Sequence, residues 1–253
     1  MTGVADDPAD GWFGESIAAR YDQGRGREYD PAEIERTVDV LADLADGSAL
    51  ELAIGTGRIA VPLAARGVSV SGIEMSRAMA SRIPEKPGGE GIQVSIGDMT
   101  TTQMNRQYSL VYLVFNTINN LTSQDAQVQC FLNAAAHLTS SGRFVIEVGV
   151  PALRRMPPGQ DTVPFYIDSE GAGSGRVGFD RYDVVTQQFT SNHVSVAEGE
   201  GRFTSIPFRY VWPAELDLMA RIAGLQLESR WADWTKSPFT SASESHVSVW
   251  VKP

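Results

Sequence analysis

Acidic residues beside a glycine turn are the first candidates for chemistry in this sequence. Glu51 lies within the apolar run Leu50–Ile54, and Gly55 and Gly57 follow that run directly. Glycines remove the β-carbons where a ligand must touch the backbone. A strand that leads into a helix through such a turn also presents free N–H groups at the positive helix end. The pattern predicts a binding loop for a nucleotide-like ligand.

Two further acids are predicted at the ends of the next two strands. Glu74 ends the run 68–74, and Asp98 follows the run 92–96. Because the carboxyl ends of parallel strands share one edge of a sheet, we expect these acids and Glu51 to surround one ligand. Three carboxylates suit a ligand with an ammonium, a ribose diol and an exocyclic amine. S-adenosylmethionine carries all three groups.

The same turn also fits a second class of ligand. Gly55-x-Gly57-x-x-Ala60 matches the relaxed dinucleotide fingerprint, whose third position can be alanine. A nicotinamide dinucleotide, however, carries a pyrophosphate that an acid-rich edge would repel. We therefore favour S-adenosylmethionine as the cofactor and keep an NAD(P)-binding oxidoreductase as the alternative.

Composition limits the classes of protein to consider. The 253 residues suit one large α/β domain or one domain with an insertion. The formal net charge of −10 disfavours nucleic acid as a partner, since nucleic-acid binding depends on Lys and Arg contacts to phosphates. The single cysteine, Cys130, lies in a helical pattern, and no His/Cys/Asp cluster has metal-ligand spacing. We expect no disulfide and no metal.

The N-terminal sequence bears on localisation. Residues 1–7 are acidic and lack the apolar run of a signal peptide. No stretch approaches the roughly 20 apolar residues of a membrane-spanning helix. We therefore expect a cytoplasmic protein that does not contact a membrane.

The order of predicted elements indicates a Rossmann-like α/β fold. We expect a seven-stranded, mostly parallel sheet with helices on both faces and a small antiparallel sheet inserted after strand five. The predicted units are an N-terminal helical cap at 1–47, a cofactor-binding core at 48–150, an acceptor-side insertion at 151–212, and a final helix and two strands at 213–253. In the insertion, alternating residues predict three strands, at 176–185, 189–197 and 202–211.

Helix signals are strongest at three places. Asp30-Pro31 is expected to begin a helix, and Ser76 is expected to cap another. The helix at 123–138 is predicted to bury one face, formed by Val128, Phe131, Leu132, Ala135 and Leu138. Near the N-terminus, Trp12, Phe13, Ile17, Ala18 and Tyr21 have near-helical spacing, which predicts a helix there.

Taken together, these motifs resemble the class I S-adenosylmethionine-dependent methyltransferases, from Tyr21 to the last strand. Ala53 replaces the first glycine of the usual Gly-x-Gly-x-Gly. The resemblance implies that Glu74 holds the ribose hydroxyls and that Asp98 and Met99 meet the adenine, while Tyr21 folds over the methionine end. The residues with implied cofactor contacts are Tyr21, Glu51, Ala53, Gly55, Gly57, Glu74, Met75, Asp98, Met99, Phe115 and Asn116.

Within that class, the insertion resembles that of small-molecule methyltransferases of bacterial secondary metabolism, including amino-sugar N,N-dimethyltransferases. The resemblance implies methyl transfer to an oxygen or nitrogen of a small molecule, with the insertion shaping the acceptor pocket and a homodimer as one assembly. A member of the fold that binds the cofactor without transferring its methyl group is a further alternative.

A hydroxyl acceptor would need a general base within hydrogen-bond reach. Of the three histidines, His137 and His246 lie in patterns that predict structural roles. His193 lies on a predicted inserted strand with Ser191 and Ser195 on its face, so it is the candidate base.

Overall fold

The structure, a computed structural model, describes residues 7–24, 26–169, 171, 173–197 and 199–253. Most of the acidic stretch at 1–7 lies outside the described residues, as do Arg25, Glu170, Ala172 and Glu198. The described residues form eleven strands and six α-helices.

Strands β1 to β11 divide between two sheets. Their bounds are β1 (Ser48–Leu52), β2 (Ser69–Glu74), β3 (Gln93–Ile96), β4 (Tyr108–Leu113), β5 (Leu138–Gly149), β6 (Thr162–Ser169), β7 (Gly175–Asp183), β8 (Gln188–Ala197), β9 (Glu200–Arg209), β10 (Gln226–Trp231) and β11 (Ser245–Val251). The main sheet has the order β10-β11-β5-β4-β1-β2-β3. Its strands are parallel except β11, which is antiparallel to both neighbours. The predicted seven-stranded, mostly parallel sheet is confirmed.

Helices cover both faces of the main sheet. They are α1 (Glu15–Ala18), α2 (Pro31–Leu44), α3 (Ala60–Ala65), α4 (Arg77–Ala80), α5 (Gln124–His137) and α6 (Pro213–Ile222). Helices α5 and α6 pack on one apolar cluster, which includes Leu50 and Val111. Helices α2 and α3 pack on a second cluster, which includes Ala49 and Leu110. Successive strand residues therefore point to opposite layers, as the pleat requires.

The predicted helix starts are confirmed at the level of single hydrogen bonds. The Asp30 carboxylate accepts from the N–H of Ala32 at 3.0 Å, and Pro31 occupies the first turn of α2. Ser76 Oγ accepts from the N–H of Met79 at 3.0 Å, which fixes the start of α4 at the end of β2.

Two helix predictions need correction. The segment from Trp12 to Tyr21 is not one helix: only α1 and short 3₁₀ turns form, and Trp12 is exposed. Gly11, with φ of +60°, departs from the helical backbone conformation before α1 begins. In α5, Leu132 is exposed, whereas the polar side chains of Gln127, Asn133 and His137 are buried. Those three bond to loops and to Arg209, so packing against neighbours overrides the apolar stripe.

The inserted sheet has the order β6-β7-β8-β9 and is antiparallel throughout. Strands β7, β8 and β9 confirm the three predicted strands to within two residues at either end. Strand β6 was not predicted, because its sequence follows several prolines. Pro164 lies within it, and an edge strand tolerates proline since its outer N–H needs no partner.

The described residues contain no helix long and apolar enough to cross a membrane.

Candidate cofactor site

The glycine turn after β1 adopts a backbone conformation that disfavours side chains. Ala53, Gly55 and Gly57 have φ of +53°, +60° and +75°. The N–H of Ile54 donates to the Ile73 carbonyl at 3.1 Å, so the turn is attached to β2. The left-handed region costs a residue with a β-carbon about 1–2 kcal/mol, which explains why glycine suits the position of Ala53.

Glu74, at the end of β2, holds this turn from the other side. One carboxylate oxygen accepts from the N–H of Gly55 at 2.7 Å, and the other accepts from the N–H of Ser76 at 2.9 Å. The side chain is buried, and burial raises its pKa while the backbone N–H groups oppose that rise. A carboxylate has about four lone-pair sites, so roughly two remain for a ligand.

A cavity of about 300 Å³ lies beside Glu74 at the carboxyl ends of the strands, and we call it the cofactor cavity. Its wall includes Gly11, Trp12, Phe13, Ala53, Ile73, Glu74, Met75, Gly97, Asp98, Met99, Thr117, Leu121 and Pro207. One carboxylate oxygen of Asp98 accepts a hydrogen bond from the N–H of Thr100 at 2.7 Å. Helix α5 steadies this loop, because Asn133 donates to the Met99 carbonyl at 2.8 Å.

A second, narrow cavity of about 40 Å³, the tail pocket, shares Ala53 and Thr117 with the cofactor cavity and is also lined by Glu51 and Gly55. Glu51 is fully surrounded, and burial raises its pKa to about 8. Its carboxylate accepts a hydrogen bond from the Tyr112 hydroxyl at 2.9 Å. A cationic ligand beside Glu51 would therefore favour the ionised form, which burial disfavours in its absence.

Arg58 also lines the tail pocket, and sequence reasoning missed it. Its guanidinium lies over the rings of Tyr21, Tyr29 and Phe115, with centroids 5.7, 4.7 and 4.3 Å from Cζ. It donates to the Glu28 carbonyl, while its Nε is buried without a partner among the described residues. A cation one residue beyond the glycine turn was a usable signal, but its aromatic neighbours are distant in sequence.

The N-terminal segment closes over these cavities through polar contacts. Asp10 accepts from the N–H of Arg77 at 2.6 Å, and Ser76 Oγ donates to the Phe13 carbonyl at 2.7 Å. Asp22 accepts from the Thr56 hydroxyl at 2.7 Å. These bonds attach the segment directly to the turn after β1 and to the start of α4.

Other predicted residues lie differently. Gly57 lines neither cavity; its φ of +75° and the 3.1 Å between a β-carbon there and Ile83 both favour glycine. Asn116 faces a separate cavity beside Phe115. Its side-chain oxygen accepts from the N–H of Gly149 at 2.6 Å, which joins the ends of β4 and β5.

His193 is not brought to the cofactor cavity. Strands β8 and β9 pair without a register shift, with Thr190 opposite Pro207 and His193 opposite Thr204. Since alternate residues point to opposite faces, His193 lies on the face away from Pro207. Its ring nitrogens lie 3.2 Å from the Tyr166 hydroxyl and 3.3 Å from Ser191 Oγ, and burial lowers its pKa. The geometry therefore gives no support to a catalytic base here.

The other two histidines have internal partners. His137 Nε2 accepts from the N–H of Met104 at 2.8 Å. His246 Nδ1 lies 2.8 Å from Ser248 Oγ. Within the part of the chain that the structure describes, no three His, Cys, Asp or Glu side chains are grouped as metal ligands.

Comparison with known proteins agrees with this geometry. The family described as methyltransferase domain matches residues 49–142. The CcbJ methyltransferase from Streptomyces caelestis is 33% identical, with a TM-score of 0.82 over 92% of this chain and 95% of that one. The cypemycin N-terminal methyltransferase from Streptomyces sp is 24% identical over 79% of this chain and 81% of its own. A SAM-bound amino pentose methyltransferase from Micromonospora echinaspora shares the fold, at 17% identity and a TM-score of 0.68 over the whole of both chains.

The fold and the acid-lined cavity beside a glycine turn define a nucleotide-binding enzyme of the Rossmann-like class. The chain belongs to the S-adenosylmethionine-dependent methyltransferases. S-adenosylmethionine is its cofactor, and the NAD(P)-binding oxidoreductase is set aside. The two cavities fit that cofactor, since acidic side chains and the backbone of the glycine turn line them at the ends of three neighbouring strands.

Proposed function

We propose that this enzyme methylates a nitrogen or oxygen atom of a small molecule of secondary metabolism. The observation that carries the cofactor assignment is the placement of Glu51, Glu74 and Asp98 around two contiguous cavities. Both cavities include Ala53, so one elongated ligand can fill them together.

Each end of the cofactor has a matching group in this arrangement. Glu74 accepts hydrogen bonds from the ribose hydroxyls, and Asp98 accepts one from the adenine amine. Glu51 faces the ammonium of the methionine end. Arg58, the cation of the tail pocket, pairs with the carboxylate of that end. Met75 and Met99 offer polarizable contacts to the adenine ring.

The chain's own residues orient the reactants and exclude water. When bound, S-adenosylmethionine supplies a methyl group on a positively charged sulfur, which is an activated leaving group. Tyr21 and Phe115 form the aromatic wall of the tail pocket, where they exclude water from the reacting centre. Because the leaving group is activated, in-line positioning by this wall can supply several kcal/mol.

A small acceptor is supported by the scale of the remaining space and by the relatives. A cavity of about 740 Å³ shares Pro207 with the cofactor cavity, and one of about 390 Å³ adjoins the tail pocket; both sizes suit a small molecule or a chain end. The cypemycin relative is named an N-terminal methyltransferase, and the Micromonospora relative an amino pentose methyltransferase. Pro207 is the residue of the inserted sheet that reaches the cofactor cavity.

Unit boundaries and assembly stay predictions. The boundaries after residues 47, 150 and 212 can be probed by limited proteolysis. A homodimer can be checked by light scattering of the purified chain.

Titration with S-adenosylhomocysteine tests the cofactor assignment. Trp12 lies in the wall of the cofactor cavity, so its fluorescence is expected to change on saturation with S-adenosylhomocysteine but not with NADH. Trp12→Phe should remove that signal while calorimetric binding persists. Saturable NADH binding, or no binding of S-adenosylhomocysteine by the wild type, would contradict the assignment. Transfer of label from methyl-labelled S-adenosylmethionine to a small amine or alcohol then tests the reaction.

A further inference from the structure

A cavity of about 390 Å³ adjoins the tail pocket on the side away from the cofactor cavity, and we call it the outer cavity. It lies between the N-terminal segment and the carboxyl ends of β4 and β5. Tyr21, Arg58 and Phe115 line both spaces and so lie at the boundary between them. A molecule in the outer cavity is therefore next to whatever the tail pocket holds.

Glu147, near the end of β5, is the buried carboxylate of this cavity. Its side chain is more than nine-tenths buried, and one oxygen accepts from the N–H of Phe115 at 3.1 Å. No Lys, Arg or His among the described residues lies within 4.0 Å of it. Burial raises its pKa, and the N–H of Phe115 and the more distant charge of Arg27 offset only part of that rise.

Two of the other charged groups around the outer cavity are paired, whereas Glu28 forms no ion pair among the described residues. Arg27 is paired with Glu33, and Glu244 is paired with Arg155. Arg58 lies against aromatic rings. Of the two carboxylates without an ion pair, Glu147 is the buried one, and a buried unpaired carboxylate is costly unless a ligand compensates it.

We propose that the outer cavity binds the methyl acceptor and that the acceptor presents an amine, which Glu147 receives. This inference rests on the proposed methyl transfer and specifies its acceptor. A protonated amine supplies the positive charge and the N–H donors that Glu147 lacks. A carboxylate or phosphate placed at the same point would instead be repelled.

The step balances in protons and electrons. The protonated amine gives one proton to the Glu147 carboxylate, which becomes a neutral carboxyl and leaves a lone pair on nitrogen. That lone pair forms the new N–C bond to the methyl carbon while the C–S bond breaks and its electron pair stays on sulfur. The products are the N-methylated ammonium and neutral-sulfur S-adenosylhomocysteine. Glu147 returns its proton to solvent when the product leaves.

Three ring compounds of one shape test the charge preference in the wild-type enzyme. Cyclohexylamine, cyclohexanol and cyclohexanecarboxylate are titrated into the full chain saturated with S-adenosylhomocysteine, with ligand-observed NMR as the readout. The amine is expected to bind at least tenfold tighter than the alcohol, and the carboxylate weakest. Equal affinities for amine and alcohol, or no saturable amine binding, would overturn the proposal.

Glu147→Gln tests the residue, since it keeps the shape and removes the charge. It is expected to reduce amine affinity at least tenfold and to leave that of the alcohol unchanged. Glu90→Gln, the same change on an exposed loop, is the control and should retain the preference. Unchanged amine affinity in folded Glu147→Gln refutes the assignment. If that variant does not fold, the wild-type comparison decides. If S-adenosylhomocysteine binds normally but the enzyme shows no preference for the amine, this inference alone is refuted and the cofactor assignment stands.

Discussion

Replacing Glu74 by glutamine tests the part of the site on which the cofactor geometry depends most. The native carboxylate accepts from the N–H groups of Gly55 and Ser76 at 2.7 and 2.9 Å. Glutamine has one acceptor oxygen, so its NH₂ group must face one of these N–H donors. A ribose diol would likewise lose one of its two acceptors.

The magnitude follows from the number of bonds lost. A hydrogen bond to a charged group is worth about 1.5–3 kcal/mol. Loss of one such bond to the ribose predicts roughly 10- to 150-fold weaker binding of S-adenosylhomocysteine, at about 1.4 kcal/mol per tenfold. The unpaired N–H in the turn should also lower the free energy of unfolding by about 1–3 kcal/mol.

Isothermal titration calorimetry with two ligands separates this effect from general damage. Methylthioadenosine keeps the ribose and adenine of the cofactor but lacks its amino-acid end. Glu74→Gln is expected to weaken methylthioadenosine and S-adenosylhomocysteine by the same factor. Glu51→Gln should weaken S-adenosylhomocysteine alone, and Glu90→Gln should weaken neither.

Two results would contradict this role of Glu74, and the assay distinguishes them. A folded Glu74→Gln that binds S-adenosylhomocysteine within twofold of the wild type would show that the carboxylate does not hold the ribose. A loss confined to S-adenosylhomocysteine would place Glu74 at the amino-acid end instead. Urea unfolding of each variant reports whether the turn itself was damaged.

Further outcomes follow from other positions of the site. Burial raises the pKa of Glu51 to about 8, and a ligand ammonium favours its ionised form. Affinity for S-adenosylhomocysteine should therefore fall as pH drops below 8, by at most about tenfold per pH unit. Glu51→Gln should flatten that dependence. A flat profile in the wild type would contradict the pairing of Glu51 with the ammonium. Ala53→Gly relieves a φ of +53° and should raise the free energy of unfolding by about 0.5–1 kcal/mol in urea titration, whereas a loss would mean that the turn is unstrained. Gly72→Ala places a β-carbon within 2.7 Å of the Ile54 side chain and should lower that free energy by about 1–3 kcal/mol; an unchanged midpoint would argue against the close packing. His193→Ala should leave turnover of the identified acceptor unchanged, and a hundredfold loss would restore it as a base.

The main sheet could be predicted because its strands are short apolar runs with clear stops. Gly55 ends the first apolar run, Glu74 is the last residue of β2 and Gly97 follows β3, while local signals such as Asp30-Pro31 and Ser76 fix helix starts within a residue. Strand β6 escaped prediction because prolines obscure it, and its pairing with β7 is a tertiary contact.

Within the site, the binding acids were predictable and their environment was not. Glu51, Glu74 and Asp98 could be predicted because parallel strands end at one edge, which makes spacing along the chain a guide to position in space. The roles of Arg58 and Glu147 could not be predicted. The rings around Arg58 come from segments far apart in sequence, and only the folded chain shows that Glu147 lacks an ion-pair partner. For the same reason, the sequence could not predict on which face of the inserted sheet His193 lies.

The amino-acid sequence by itself determined the class of fold, the glycine turn and the acids at the strand ends, because these depend on local conformation and on periodicity. Only the tertiary structure decided which charges are compensated and which cavities share lining residues. Those properties depend on packing between distant segments, as where Tyr21, Arg58 and Phe115 meet at the boundary between two cavities.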